Sequence, residues 1–369
     1  MKTQQHKRII ISGGGTGGHI FPAISIANAI RKLYPDSHIK FVGAMGKMEM
    51  ERVPEAGYEI EGLPVAGFIR GISFRNFEVM IKLFKSLRNA KKIIKRFNPD
   101  AVVGVGGYAS GPILWIAAKR GIPTLIQEQN SYAGMTNRVL ARRAKIICVA
   151  YDGMEKYFPG DKLFLTGNPV RQDIIEMNRN RSEAIEYFGL KSDKPVILVL
   201  GGSQGSGTIN ESIAEGLERI FESGLQIIWQ TGKNYFEKMK SVLESKKSGD
   251  GVVIPFIDRM EYAFTAADMI VSRAGAGTIS ELYIAAKPVI LVPSPNVAED
   301  HQTKNALSLS CKNAAILVHD SNARENLVSK MIELITDEDL KSELSANISQ
   351  MAIYDADVRI AEQIIKMAE

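Results

Sequence analysis

Cysteine is scarce in this chain: Cys148 and Cys311 are the two in 369 residues. Two thiols support at most one bridge, which excludes a disulfide framework and suits a reducing compartment. Neither belongs to a CxxC or a Cys/His cluster, so a structural zinc site has no support. Long apolar runs are missing as well. The run Ile9-Ile10-Ile11 follows Lys7 and Arg8 and leads straight into glycines, too short for a signal-peptide core. No stretch approaches the roughly 20 residues of a membrane-spanning helix, so the expectation is a chain at most attached to a surface. What is present is ordinary for a soluble globular protein, with 45% hydrophobic and 24% charged residues. The length favours two domains over one. A net charge of +5 points to an anionic partner without saying which.

Short β-branched runs alternate with longer helical patterns, which predicts parallel sheets built from βαβ units. In the first half the strands fall at residues 8–12, 39–42, 101–105, 124–128 and 146–149. The plan then restarts at 195–200 and continues at 225–230, 252–255, 269–272 and 288–292. Two α/β units in tandem follow, with a boundary near Gly167-Asn168-Pro169, where the residue before proline avoids the helical region. The stretch from about Ser349 reads as helical and fits either unit.

A strand that ends in glycines and opens a helix can hold phosphate, because the backbone approaches closely and the helix N-terminus offers unpaired N–H groups. Gly13-Gly14-Gly15-Thr16-Gly17-Gly18 satisfies GxGxxG literally. A dinucleotide fold would also place an acid at the end of the second strand to hold the ribose. That strand ends in Gly43-Ala44-Met45 with no carboxylate, and the NAD reading loses. The second turn, GGSQG, adds the hydroxyls of Ser203 and Ser206 to its amides, again suited to phosphate oxygens.

These turns are part of a longer series. GGGTGGHIFPA, GGYASGP, QEQN, TGNPVR, GGSQG, RAGAGTISE and DHQTKNA occur in one order over roughly residues 8–306. Together they resemble the MurG family of bacterial peptidoglycan N-acetylglucosaminyltransferases. The resemblance implies an α/β chain of the GT-B fold: two Rossmann-like, doubly wound parallel-sheet domains facing a cleft. Residues 1–167, with a returning C-terminal helix at 350–369, would form the acceptor and membrane side. Residues 168–349 would bind the UDP-sugar donor. The implied activity is inverting transfer of N-acetylglucosamine from UDP-GlcNAc to undecaprenyl-pyrophosphoryl-MurNAc-pentapeptide, converting lipid I to lipid II. It needs no cofactor and takes place at the cytoplasmic face of the inner membrane.

Site roles follow from the resemblance residue by residue. Glu281 would take the donor ribose hydroxyls, a role suited to an acceptor-only carboxylate. Ala276, Gly277, Thr278, Ile279 and Ser280, which lead up to it, would contact ribose and phosphate. Ile257 would present its main chain to the uracil, Ser203 would touch phosphate and Gln302 the sugar hydroxyls. Arg171 reads independently as a diphosphate clamp, since guanidinium grips phosphate oxygens in a fork. From the first domain, Thr16, Gly17, Gly18, His19 and Asn130 would face the sugar and acceptor, with Glu128 and Tyr108 beside them.

Glycosyl transfer requires neutralisation of the departing UDP and removal of a proton from the attacking hydroxyl. Two Asp-x-Asp triplets, at Asp337 and Asp355, lie in helix-rich sequence and read as helix starts, so no catalytic metal is expected. Helix amides and Arg171 would then stand in for a cation. His19 and Glu128 are the candidate catalytic residues. His19 reads either as the general base or as a group that positions the acceptor, its ordinary pKa of about 6.5 leaving it mostly neutral at cellular pH.

The segment 67–97 stands apart, with nine Lys and Arg, a single acid (Glu78) and interleaved apolar residues. A helix from about Asn76 sets Phe77, Met80, Phe84 and Leu87 on one stripe. Such a stripe ringed by cations suits an anionic membrane surface; the alternative is a core-facing stripe with a solvated basic face. No nucleic-acid-binding motif accompanies the charge. The rival functions are another GT-B transferase, a UDP-sugar epimerase, or a nucleotide-sugar or lipid sensor without turnover.

Overall fold

The computed structural model describes residues 6–66, 74–202, 204–246 and 250–369. It divides into two compact units, Met1–Arg171 with Ile353–Glu369, and Gln172–Ala352.

The first unit is built on strands β1 (Arg8–Ser12), β2 (His38–Ala44), β3 (Glu59–Leu63), β4 (Ala101–Gly104), β5 (Thr124–Glu128), β6 (Ile146–Val149) and β7 (Leu163–Leu165). All pairings are parallel, in the order β3-β2-β1-β4-β5-β6-β7. Ile9, Ile10 and Ile11 of β1 are all buried, the pattern of a central strand covered by helices on both faces. The connecting helices include α1 (Gly17–Leu33), α2 (Glu49–Glu55), α3 (Phe74–Phe97), α4 (Ser110–Lys119) and α5 (Met135–Leu140). The C-terminal helix Ala356–Met367 joins this unit, burying Ile360, Ala361, Ile364 and Ile365 in the core that α1 shares with β1.

The second unit repeats the plan with β8 (Val196–Leu200), β9 (Gln226–Gln230), β10 (Gly251–Ile254), β11 (Met269–Ser272), β12 (Val289–Leu291) and β13 (Ile316–Leu317). Its order, β10-β9-β8-β11-β12-β13, matches that of β3-β2-β1-β4-β5-β6. Each unit therefore has the Rossmann-like order, in which successive crossovers run outward in opposite directions from one central pair of strands. That pair is β1/β4 in the first unit and β8/β11 in the second. A crevice opens beyond the carboxyl ends of such a pair, and ligands of doubly wound sheets bind there.

The turn Gly167-Asn168-Pro169 is stitched into the first unit. Asn168 is buried, accepts from Gln127 Nε2 at 2.8 Å and donates to Gln129 O at 3.0 Å. The units separate after it, between Arg171 and Gln172.

Candidate active site

In the first unit the glycine turn after β1 and the Gly106-Gly107 turn after β4 meet at the switch point. A Cβ on Gly107 would lie 2.4 Å from Gly14 O, so the two turns pack backbone to backbone. Thr16 begins α1, its carbonyl accepting the amides of His19 and Ile20 at 3.1 and 3.2 Å. The amides of Gly17 and Gly18 therefore fall outside the helix's own ladder. Thr16 and Gly18 are exposed, and Gly17 and His19 half-buried, at the rim. His19 Nδ1 lies 3.1 Å from Gly14 O and 3.3 Å from Thr16 Oγ1.

Beside this rim the QEQN segment is held from within. Gln129 Nε2 donates to Val105 O at 2.8 Å and to Gln127 Oε1 at 2.6 Å. Glu128 is buried, and its oxygens are engaged by the loop and the helix that follow it. Oε1 accepts from Asn130 N at 3.1 Å and from Asn130 Nδ2 at 3.4 Å, while Oε2 accepts from Gly134 N and Asn137 Nδ2, both at 2.9 Å. Burial pushes this carboxyl above the ordinary range, against the pull of those donors. Glu128 thus shapes the loop that carries Asn130 and opens α5. Tyr108 is exposed, and Arg171 is half-buried at the end of the unit's first segment.

In the second unit the turn after β8 leads into the helix Gly207–Glu222. Ser203 lies outside the described residues. Ser206, expected to face phosphate, instead uses its hydroxyl oxygen as the helix cap, accepting from Ile209 N at 3.3 Å. The turn after β11 opens the helix Ala276–Ala285, which has no side-chain cap. Its first internal bond runs from Ile279 N to Gly275 O at 2.9 Å, so the amides of Ala276, Gly277 and Thr278 lie ahead of the ladder. These three residues are half-buried at the helix mouth, and Glu281 is half-buried one turn on. Ile279 and Ser280 turn their side chains away from that mouth. The Ile279 side chain is fully buried and its amide is the one just described, while the buried Ser280 hydroxyl donates to Ala276 O at 3.0 Å. At helical spacing both point inward.

Two further expectations are narrowed. Ile257 N donates to Gln230 Oε1 at 3.3 Å, so that amide already has a side-chain acceptor. Gln302 Oε1 accepts from Ser294 N at 2.9 Å, which orients its Nε2 as the donor of the group.

The turn after β11 is also locked from below by residues that sequence reading passed over. Arg273 donates through one nitrogen to Val292 O at 3.0 Å, Pro293 O at 3.1 Å and Asp320 Oδ1. The other Asp320 oxygen accepts from Thr208 Oγ1 at 3.0 Å, so the clamp reaches the helix that follows β8. Buried Asn305 adds a bond from Nδ2 to Ala274 O at 3.2 Å. Polar residues inside RAGAG and DHQTKNA were the available signal, and their partners at strand ends were not.

The chain has matches among known proteins in both sequence and fold. The model of the glycosyltransferase family 28 N-terminal domain matches residues 9–149, and that of the family 28 C-terminal domain matches residues 196–360. The chain belongs to glycosyltransferase family 28. Among family 28 relatives, the UDP-N-acetylglucosamine--N-acetylmuramyl-(pentapeptide) pyrophosphoryl-undecaprenol N-acetylglucosamine transferase of Phocaeicola vulgatus is 56% identical over 367 residues, 99% of this chain and 98% of that one. The enzyme of the same name from Parabacteroides distasonis is 54% identical over 362 residues, 98% of each. The crystal structure of Acinetobacter baumannii MurG superposes with a TM-score of 0.80 at 29% identity, over 98% of this chain and 99% of that one. A UDP-GlcNAc 2-epimerase from Neisseria meningitidis shares the fold, with a TM-score of 0.68 at 15% identity, over 98% of this chain and all of that one.

Elsewhere on this family 28 chain, the two Asp-x-Asp triplets sit at helix starts. Asp337 caps the helix Glu338–Ser349 by accepting from Leu340 N at 2.9 Å, and Asp355 pairs with Arg359 at 2.8 Å. Along α3 the core-facing side is Val79, Ser86, Ala90, Ile93 and Ile94. The expected apolar stripe is not that face: Phe84 is 66% exposed and Met80 41%. Ile81 joins them, and Lys85, Arg88, Lys91 and Lys92 are exposed on the same helix. Residues 67–73 lie outside the described residues, as does the Phe77 side chain. Among the described residues, no helix is long and apolar enough to cross a membrane.

Proposed function

We infer that this chain transfers N-acetylglucosamine from UDP-GlcNAc to undecaprenyl-pyrophosphoryl-MurNAc-pentapeptide, the lipid I to lipid II step of peptidoglycan synthesis. The observation that carries the inference is identity of 53–56%, across essentially the whole chain, to transferases bearing that name. The site chemistry supports it, because glycine turns open helices at both switch points.

The donor falls to the second unit. Amides of Ala276, Gly277 and Thr278 and the Thr278 hydroxyl suit the diphosphate and ribose, where a helix N-terminus favours negative charge. Glu281 takes the ribose hydroxyls, the Ile257 main chain the uracil, Gln302 Nε2 the sugar, and Ser203 and Arg171 the phosphates. The acceptor falls to Thr16, Gly17, Gly18, His19 and Asn130 of the first unit, with Glu128 holding the Asn130 loop in place. In a single inverting displacement the acceptor hydroxyl attacks the anomeric carbon as UDP leaves. Helix amides and Arg171 stabilise the departing charge, and His19 receives the hydroxyl proton. A lipid-linked acceptor and a nucleotide-sugar donor support action at the cytoplasmic face of the cell membrane. There Phe84, Met80 and Ile81, among the exposed cations of α3, suit an anionic surface.

The test is incubation of purified protein with radiolabelled UDP-GlcNAc and a short-chain lipid-linked muramoyl acceptor. The expected product is labelled disaccharide-lipid, formed only when both substrates are present. Conversion of UDP-GlcNAc to an epimer without acceptor would reject the proposal.

A further inference from the structure

Glu49 and His19 lie on opposite sides of a single peptide group. The Gly15 N–H donates to Glu49 Oε2 at 2.9 Å, and the carbonyl of that same peptide, Gly14 O, lies 3.1 Å from His19 Nδ1. A carbonyl oxygen only accepts, so the second bond requires the ring proton on Nδ1 and leaves the lone pair on Nε2. The other carboxylate oxygen, Oε1, accepts from Ala44 N at 2.9 Å, anchoring the group to the end of β2. Glu49 is 0% exposed. The backbone around it is cut to fit: a Cβ on Gly14 would lie 2.1 Å from Oε1, and one on Gly43 would lie 2.6 Å from Cγ.

We propose that Glu49, the Gly14–Gly15 peptide and His19 form a relay, in which the buried carboxylate sets the imidazole tautomer and strengthens Nε2 as a base. Glu49 is a positioning residue here, acting through the peptide and touching no substrate. The carboxylate draws on the N–H and so concentrates negative charge on the carbonyl at the other end of the same resonant group. That carbonyl then holds Nδ1–H more tightly and favours the ring that has gained a proton on Nε2. The arrangement does for His19 what a directly bonded carboxylate does for a catalytic histidine, with a peptide interposed. It also gives this literal GxGxxG turn a use within the chain. The Gly15 amide, which such a turn would offer to phosphate, is taken by an anion of the chain itself. The rim at Thr16, Gly17 and Gly18 is left for the acceptor.

The relay rests on the proposed acceptor-side role of His19, and the experiment separates the two. In protein with 15N-labelled histidine, NMR should show the neutral His19 ring protonated on Nδ1. In Glu49→Gln the Nε2–H tautomer should gain, and the His19 titration should move to lower pH by roughly half a unit or more. Turnover of a water-soluble acceptor should fall about tenfold, its acidic limb moving the same way, while UDP-GlcNAc affinity stays within about twofold. A wild-type ring protonated on Nε2 overturns the relay, and that measurement needs no variant to fold. An unshifted titration in Glu49→Gln overturns it too. If instead His19→Ala keeps full turnover while the ring shifts appear as expected, the acceptor-side role of His19 fails and the relay stands.

Discussion

Gly106 leaves the space that the His19 ring fills. Its φ is +95°, and a Cβ there would lie 2.5 Å from His19 Cδ2 and 2.7 Å from Nε2. The glycine turn after β4 thus determines where the only histidine of the β1 turn can stand. Gly106→Ala combines an unfavourable backbone angle with a clash, and should destabilise the first unit by about 1–3 kcal/mol. Turnover should fall at least tenfold, as His19→Ala should lower it by roughly 10²–10⁴-fold. Calorimetry with UDP-GlcNAc should show the donor site of the second unit unaffected. Wild-type turnover in Gly106→Ala would contradict the placement of His19.

Glu281 should govern the donor. Glu281→Ala removes a charged partner of the ribose hydroxyls, worth about 1.5–3 kcal/mol. The apparent donor KM should rise by about 10–10²-fold and turnover should drop, with the acceptor KM little changed. Steady-state kinetics with the donor varied decides it, and unchanged donor kinetics would remove the nucleotide from this helix.

Membrane attachment should be largely electrostatic. Lys82 is paired with Glu78 at 2.6 Å, so the cations that count are further along α3. Changing Lys85, Arg88 and Lys92 together to glutamine removes about 1 kcal/mol per charge near an anionic surface. Binding to vesicles rich in phosphatidylglycerol should weaken by about 10²-fold at low salt, with turnover of a water-soluble acceptor intact. Equal binding of the wild-type chain to neutral and anionic vesicles would overturn the role of the patch.

Acid should loosen the second unit through Asp250. Hydrogen bonds from Lys191 at 3.0 Å and Lys194 at 3.1 Å, the former the larger cause, hold its carboxyl below the ordinary range. As pH falls, the unfolded chain, with an aspartate pKa of about 3.9, binds this proton before the folded one does. The stabilisation is therefore present above that value and is lost as pH drops through it and then through the folded value. Asp250→Asn should be less stable than wild type at pH 7, and the gap should begin to close only as pH falls below about 4. Fluorescence of the buried Trp229 in a Trp115→Phe background follows that unit alone.

Much of the architecture was legible because strongly apolar strands announce themselves. Val196–Leu200 and Arg8–Ser12 each run directly into glycines, and that repeated junction revealed two parallel-sheet units. The strands that escaped were those without such a signal. Glu59–Leu63 alternates charge and ends beside a glycine, Leu163–Leu165 has three residues, and Ile316–Leu317 has two. The apolar stripe of α3 illustrates another limit: helical spacing located Met80 and Phe84 on one face but could not say whether that face met a core or solvent. The structure turns Ala90 and Ile93 inward and leaves Phe84 exposed.

The sequence by itself determined that this chain is a doubly wound α/β protein with glycine turns at paired strand ends, and its motif order identified the family. Those properties are written locally, in runs of a few residues whose periodicity and backbone freedom follow from residue type. Only the tertiary structure decided which polar groups at those turns are used internally. Ser206 caps its own helix, Ile279 turns into the core, and Gln302 spends its oxygen on Ser294. The Gly15 amide is taken by Glu49, a residue 34 positions away at the start of α2. Hydrogen-bond partners so far apart in the chain leave no periodic mark on it; they are chosen when β1 and β2 pair and bring the two turns together.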